Sequence, residues 1–230
     1  MIRFFIGYDQ VEAEAYHVLC HSILKRSSVP VSFTPIYLPN LTASYSRQRD
    51  PKQSNEFSFS RFLVPYLCGY EGWGVFLDLD MMFRVDAAEL LEYMNPLHAV
   101  VCCQHDYVPK TETKYLGAIQ YKYPRKNWSS VMLFNCGHSS TRQLTTSYIH
   151  EAPALDLHRM FWADENIGSL PLVWNWLEGE YDFNADAKNV HWTIGGPWNE
   201  AYKNADYADE WFAERDDART ALSNSDVTAA

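Results

Sequence analysis

The sequence of 230 residues lacks an excess of positive charge, long apolar runs and paired-cysteine motifs. Its formal net charge is −10, the wrong sign for a nucleic-acid-binding surface, so DNA and RNA are discounted as main partners. No uninterrupted apolar run approaches the roughly 20 residues that a membrane helix needs. The apolar start of the chain is too short for a signal peptide. We therefore expect neither a transmembrane segment nor a secretory leader.

The cysteines are odd in number, five in all, and none forms a C-x-x-C pair. All of them lie in or beside apolar stretches, which predicts buried free thiols in a reducing, cytoplasmic compartment. Internal repeats and low-complexity linkers are also lacking. The sequence therefore predicts one domain over residues 1–222, followed by a frayed tail at residues 223–230.

The most informative segment that is present is an apolar run interrupted by two carboxylates, Asp78 and Asp80, within residues 75–83. In a strand these side chains share a face and stand roughly 6–7 Å apart. Buried carboxylates are normally paired or bind a metal, and hard cations such as Mg²⁺ and Mn²⁺ suit them. A D-x-D pattern at an exposed strand end is the alternative, but the apolar flanks favour a metal site.

Two further motifs carry chemistry. Arg61, on a predicted helix that leads into the aspartate strand, has the planar fork that binds phosphate, although an exposed helix arginine is the plainer interpretation. His191 ends a predicted strand before a turn that contains Gly195 and Gly196. The histidine is a candidate third metal ligand, and the glycines allow backbone N–H groups to approach an anion. A structural histidine beside a tight turn is the alternative.

The hydrophobic pattern predicts an α/β protein whose strand–helix–strand opening indicates a mainly parallel sheet. Predicted strands cover residues 2–7, 31–38, 75–80, 99–104, 130–135, 172–177 and 189–193. Predicted helices cover residues 11–25, 57–68, 86–93, 141–150, 164–170 and 200–221. The loops at 39–55 and 105–126, which we expect to set the choice of acceptor, show no recognisable pattern. His17, Cys20 and His21 could together ligate zinc, since the two histidines lie one helical turn apart, but no fourth ligand is apparent.

Together, these motifs resemble the retaining glycosyltransferases of the GT-A fold, notably the glycogenin-like and bacterial lipopolysaccharide galactosyltransferase family. Related D-x-D mannosyltransferase and toxin glucosyltransferase groups share the arginine-then-D-x-D layout. The resemblance covers roughly residues 2–200 and is strongest at 76–80 and 191–198. It implies a single-domain, Rossmann-like α/β fold with a mixed, mainly parallel sheet flanked by helices. It also implies a hexosyltransferase that acts with retention on a nucleotide-diphosphate sugar, with a UDP-sugar favoured.

The resemblance also assigns residues. Asp78, Asp80 and His191 would hold Mn²⁺ or Mg²⁺. The donor would contact a larger set: Tyr8, Asp9, Arg61, Asp78, Asn135, Gly195 and Gly196. Near the donor sugar the resemblance places Asp164 or Glu165 as candidate catalytic carboxylates, and Asp164 is also predicted to cap the helix at 164–170. The acceptor, whether glycan, lipid-linked molecule or protein, is left open.

One position departs from the family. A lysine that contacts the diphosphate usually stands just before Pro-Trp, where this chain has Gly196. We expect Arg61, the metal and the backbone amides of the turn to balance the phosphate charge instead, helped by Lys203.

Two other functions fit part of the pattern. A haloacid-dehalogenase-type phosphatase also has an apolar strand ending in D-x-D, but that motif stands near the N-terminus and is followed by Thr or Val where this chain has Met82. A non-catalytic domain that binds a nucleotide sugar would retain the same fold.

Overall fold

A computed structural model of the chain describes residues 1–50, 53, 55–113, 117 and 124–223. Parts of the two predicted loops at 39–55 and 105–126, and residues 224–230 of the predicted tail, lie outside the described residues. The strands are β1 (Ile2–Gly7), β2 (Val31–Ile36), β3 (Trp73–Leu77), β4 (Met81–Phe83), β5 (Val100–Cys103), β6 (Val131–Asn135), β7 (Ile167–Leu170), β8 (Trp176–Leu177) and β9 (Asn189–His191). The α-helices are α1 (Ala13–Arg26), α2 (Val64–Leu67), α3 (Thr146–Glu151), α4 (Ala154–His158) and α5 (Ala208–Ser223).

The large sheet has six strands in the order β2-β1-β3-β6-β5-β7. Its strands all run in one direction except β6, which is antiparallel to both β3 and β5. The sheet is therefore mixed and mostly parallel, which confirms the predicted fold class. Its core strands are buried nearly throughout, and they are rich in Val, Leu, Ile and Phe because helices cover both faces.

The strand directions define two ends of this sheet. We call the end at which β1, β2, β3, β5 and β7 finish, and at which β6 begins, the carboxyl end. In open α/β sheets, ligands bind outside the carboxyl ends of the parallel strands. The opposite end is the amino end, where β6 finishes and β7 begins.

A small sheet with the order β4-β9-β8 lies beside the large one. The chain passes from the large sheet into the small one through residues 78–80, between β3 and β4. A second apolar cluster, which includes Met82, Val190, Trp192 and Trp211, packs this sheet against α1 and α5. The small sheet is thereby packed against these two helices, and residues 78–80 join it to the carboxyl end of the large sheet.

Several local predictions were wrong. The predicted helix at 164–170 is instead strand β7, because the sheet adds an outer strand here and tertiary pairing overrides local propensity. Asp164 caps no helix; it follows the 3₁₀ turn Phe161–Ala163. The predicted strand at 172–177 is a 3₁₀ turn, Leu172–Asn175, followed by the two-residue β8.

Other predictions were right about position and wrong about extent. The helix predicted at 57–68 is a 3₁₀ turn, Ser60–Leu63, that continues into the short α2. The helix at 86–93 is 3₁₀ throughout, and the Asp86 side chain caps it by accepting a hydrogen bond from the Ala88 N–H. The described residues contain no helix with the length and apolarity required to span a membrane.

Candidate active site

The two aspartates lie in the connection between the sheets rather than within one strand, since β3 ends at Leu77. The Asp78 N–H donates to the Ser130 carbonyl at 3.0 Å, which ties it to the start of β6. The Asp80 carbonyl accepts from the Trp192 N–H, also at 3.0 Å, which ties it to the end of β9. Each side of the connection is therefore fixed to a different sheet, at the carboxyl end of the large one.

His191 completes the group predicted from the sequence. It ends β9 directly opposite Met81, and its side chain is buried, with 2% exposed. Its Nε2 lies 3.3 Å from Asp80 Oδ1 and 4.0 Å from Asp78 Oδ2. One ligand atom from each of the three residues lies within 4.8 Å of the others. The structure thus brings together the three side chains that the sequence predicted as metal ligands.

The chemistry of this group fits a divalent cation. Burial raises the pKa of Asp78, whereas the charge of Arg61 opposes that rise. Asp78 Oδ1 is buried and no donor is aligned on it for a hydrogen bond. Asp80 is a quarter exposed and opens the group to solvent. Carboxylate oxygens suit hard cations such as Mg²⁺ and Mn²⁺.

Arg61 faces the metal ligands and not the solvent. Its Nη1 lies 2.9 Å from Asp78 Oδ1 and donates to the Ser129 carbonyl at 2.8 Å. The guanidinium also lies against the rings of Phe57 and Phe76. Only 4% of the side chain is exposed. In this structure the arginine compensates and orients Asp78, and its expected direct contact with phosphate stays a prediction.

A buried network behind His191 was not predicted. The Asn175 side chain, which is fully buried, bonds to His191 Nδ1 at 2.8 Å, to His105 Nε2 at 2.9 Å and to the Asn127 carbonyl at 3.2 Å. His105 Nδ1 lies 2.8 Å from the Tyr181 hydroxyl. Burial, with a smaller effect of His191, lowers the pKa of His105 to about 3. His105 follows β5, Asn175 follows β7 and Asn127 precedes β6, so these three residues come from the carboxyl end of the large sheet.

Tyr8 and Asp9 also lie at the carboxyl end, directly after β1. The Tyr8 N–H continues the ladder to the Ile36 carbonyl, and its ring packs edge-on against Tyr37 at 5.1 Å between centroids. Asp9 Oδ1 accepts from the Val11 N–H at 3.0 Å and so begins the turn that leads into α1. Strand β1 is the neighbour of β3, and its Ile6 pairs with Leu77. Tyr8 and Asp9 therefore follow β1 at about the same height at which Asp78 and Asp80 follow β3.

The glycines of the C-terminal turn are explained by packing. A Cβ on Gly195 would approach the Tyr202 ring to 2.5 Å, and one on Gly196 would approach the Trp198 ring to 2.0 Å. The Gly195 N–H donates to the Trp192 carbonyl, so it is already used within the turn. Lys203 is half exposed and pairs with Glu200. The expected use of the Gly195 amide for phosphate is therefore not supported.

Three predicted donor-site residues lie at the amino end. Asn135 ends β6 opposite Trp73, the first residue of β3, and its side chain donates to the Pro96 carbonyl. Asp164 and Glu165 are exposed and precede β7. The structure does not bring these three residues to the metal ligands. Asn135 lies far from the metal ligands because β6 runs antiparallel to its neighbours, so that its beginning and not its end lies at the site.

A second acidic group, formed by His21, Glu214 and Asp217, joins α1 to α5. Its carboxylates already pair with cations, because Arg26 Nη2 lies 2.6 Å from Glu214 and Lys25 Nζ lies 2.6 Å from Asp217. We interpret it as an ion-pair network that joins α5 to α1.

No family model matches the sequence. Protein CDI of Arabidopsis thaliana is 47% identical over 223 residues, which cover 94% of this chain and 86% of that protein. Among solved structures, the WbbM bifunctional glycosyltransferase matches with a TM-score of 0.65 at 17% identity over 93% of this chain. The chain spans only 49% of the length of WbbM.

The galactosyltransferase LgtC, solved in complex with donor and acceptor sugar analogs, matches with a TM-score of 0.58 at 10% identity. The match covers 94% of this chain and 96% of LgtC. At these identities the likeness establishes the fold alone. The chain has the GT-A fold, as the sequence resemblance implied.

Proposed function

The chain belongs to the same family as Protein CDI of Arabidopsis thaliana, and we propose that it is a metal-dependent glycosyltransferase that uses a nucleotide-diphosphate sugar. The observation that carries this proposal is the group formed by Asp78, Asp80 and His191 at the carboxyl end of a GT-A sheet. Asp78, Asp80 and His191 would supply two carboxylates and an imidazole to a divalent cation, and such a cation would bind the oxygens of a diphosphate.

The proposed cation is Mn²⁺, with Mg²⁺ as the alternative. When bound, it supplies Lewis acidity that stabilises the charge developing on the leaving nucleoside diphosphate. The protein, with a net charge of −10, needs such compensation to bind a diphosphate.

The chain's own residues have separate tasks in this proposal. Asp78 and Asp80 provide the oxygens, and Arg61, whose Nη1 lies 2.9 Å from Asp78 Oδ1, orients this carboxylate and opposes the rise in its pKa that burial causes. Tyr8 and Asp9 stand where the first strand ends, which is the position for the nucleoside part of the donor. Asp80 is the most exposed of the three metal ligands and therefore faces the incoming donor.

The finer details of the reaction rest on resemblance. Retention of configuration and a UDP-sugar donor are proposed from the sequence resemblance alone, and a sugar donor is supported by the likeness to LgtC, a galactosyltransferase solved with donor and acceptor sugar analogs. A cytoplasmic location is supported by the five free thiols, four of which are buried. We also propose that residues 1–222 act as a single catalytic domain.

The phosphatase alternative is disfavoured by the surroundings of Asp78. In that mechanism the first aspartate is a nucleophile, which needs an accessible carboxylate. Only 10% of the Asp78 side chain is exposed, and Arg61 occupies its Oδ1 side.

The decisive assay incubates the protein with a panel of UDP- and GDP-sugars, with Mn²⁺ or with EDTA, and measures release of the nucleoside diphosphate. We expect release from at least one donor in Mn²⁺, its loss in EDTA, and its loss in Asp80→Asn. Asp209→Asn, which replaces an exposed carboxylate on α5, is the matched control and should keep the parent rate. Cleavage of p-nitrophenyl phosphate with no release from any sugar nucleotide would overturn the proposal in favour of a phosphatase. Binding of a donor without turnover would indicate a non-catalytic domain.

A further inference from the structure

The amide of Asn175 has one possible orientation. Its Nδ2 lies 3.2 Å from the Asn127 carbonyl, which can only accept a hydrogen bond, so the NH₂ group must be on that side. The carbonyl oxygen, Oδ1, then faces His191 Nδ1 at 2.8 Å. Because Oδ1 can only accept, the proton of that hydrogen bond must belong to His191.

This direction of donation fixes the tautomer of the neutral His191 ring. With the proton on Nδ1, the other nitrogen, Nε2, carries an unprotonated lone pair. Nε2 is the atom that lies 3.3 Å from Asp80 Oδ1 and 4.0 Å from Asp78 Oδ2. We propose that Asn175 is a positioning residue that holds His191 in the tautomer whose lone pair points at the metal position.

The rest of the network supports the same direction. The second proton of Asn175 Nδ2 points to His105 Nε2 at 2.9 Å, which must therefore accept. His105 then carries its proton on Nδ1 and donates to the Tyr181 hydroxyl at 2.8 Å. Donation runs without conflict from His191 through Asn175 and His105 to Tyr181.

The sequence neighbourhood explains how one amide serves three partners. Asn175 ends the 3₁₀ turn Leu172–Asn175, which follows β7 at the carboxyl end, and the chain then enters β8 beside β9. The residue is fully buried, so water does not compete for its amide. Partners of metal-ligating histidines that fix the ring in this way typically contribute 10–100-fold to metal affinity.

This inference rests on the proposed function, since it assumes a cation at the three-ligand group, but its test has an independent readout. The parent protein, labelled with ¹⁵N-histidine and free of metal, is studied by long-range ¹H–¹⁵N correlation at a pH where the ring is neutral. The His191 signals are assigned by their loss in His191→Gln. We expect a protonated Nδ1 and an unprotonated Nε2; the opposite tautomer would overturn the inference whether or not the protein binds metal.

The second measurement is Mn²⁺ affinity by electron paramagnetic resonance. Asn175→Ala should raise the dissociation constant about 10–100-fold. Asn189→Ala is the matched control, because Asn189 is equally buried on β9 and its amide bonds to the Trp174 carbonyl and to Met81 Sδ. It should leave the affinity at the parent value. Equal effects of the two substitutions would reduce Asn175 to a packing role and overturn the inference.

The outcomes separate the two proposals. A parent protein that binds no Mn²⁺ contradicts the metal site while the tautomer measurement still decides the role of Asn175. If Asn175→Ala does not fold, the tautomer in the parent protein decides alone.

Discussion

Replacing Arg61 with methionine tests whether this arginine compensates the buried charge of Asp78. The two side chains are 4% and 10% exposed, and Arg61 Nη1 lies 2.9 Å from Asp78 Oδ1. Removing one partner of a buried ion pair costs about 3–5 kcal/mol, because the other charge is left uncompensated. About 1 kcal/mol of that loss comes from the Ser129 carbonyl, which loses its donor. Methionine keeps the apolar contact with the rings of Phe57 and Phe76.

A double variant shows whether the stability lost in Arg61→Met comes from the uncompensated charge of Asp78. In Arg61→Met with Asp78→Asn the buried charge is gone, so the free energy of unfolding should recover by about 2–3 kcal/mol relative to Arg61→Met alone. Equilibrium unfolding in urea, followed by tryptophan fluorescence in EDTA, measures all the variants. Lys25→Met, which removes an exposed ion pair with Asp217, is the control and should change stability little.

Two results bear on the reasoning. The deficit of Arg61→Met should shrink at acidic pH, because burial already raises the pKa of Asp78 and protonation removes the uncompensated charge. A double variant as unstable as Arg61→Met at neutral pH would refute the argument, since the loss would then come from packing and not from the charge of Asp78.

Three further predictions follow from the described contacts. Burial, with Arg61 nearby, lowers the pKa of His158 to about 3, below its ordinary 6.5, so the unfolded chain binds more protons between these values. Stability should therefore fall as pH drops from about 6.5 toward 3, and His158→Gln should flatten that dependence in thermal unfolding. Gly196→Ala should destabilise the fold by about 1–3 kcal/mol in urea, because its Cβ would lie 2.0 Å from the Trp198 ring; an unchanged midpoint would show that the turn can shift. Asp164→Asn and Glu165→Gln should keep the rate of nucleoside diphosphate release, because both residues lie at the amino end of the sheet, and a large loss would restore their predicted catalytic role.

The metal ligands were predictable because their chemistry is local. Two carboxylates inside an apolar run, Asp78 and Asp80, are costly unless something compensates them, and that cost is visible without a structure. His191 was identified because it ends a predicted strand just before the turn that contains Gly195 and Gly196. Their actual geometry was not predictable: the two aspartates lie in a connection between two sheets, and the pairing of β4 with β9 depends on contacts more than 100 residues apart in sequence.

The residues around the ligands were missed for a topological reason. Whether the beginning or the end of β6 meets the site depends on its direction, and an apolar strand pattern is the same in either direction. The sequence therefore pointed to Asn135, at the end of β6, whereas the residues that contact Arg61 and Asp78 are Ser129 and Ser130, just before β6 begins. Asn175 is a polar residue inside the apolar stretch 172–177, and this was the one available signal of its role. The stretch was predicted to be a strand, which concealed that signal.

The misassigned helix at 164–170 has a similar cause. Asp164 and Glu165 resemble the acidic first turn of a helix, and this local preference is real. The outer position beside β5, however, is filled by β7, and Gly168 fits there because a Cβ would approach His98 to 2.6 Å. Packing between distant segments decided the outcome.

The central claim is that Asp78, Asp80 and His191 hold a cation that binds a nucleoside diphosphate. Calorimetric titration of UDP and of GDP into the protein, with Mn²⁺ and with EDTA, tests it most directly. We predict binding of at least one of the two in Mn²⁺, no binding in EDTA, and none for Asp80→Asn in either condition. Equal affinity in Mn²⁺ and in EDTA, unchanged by Asp80→Asn, would contradict it.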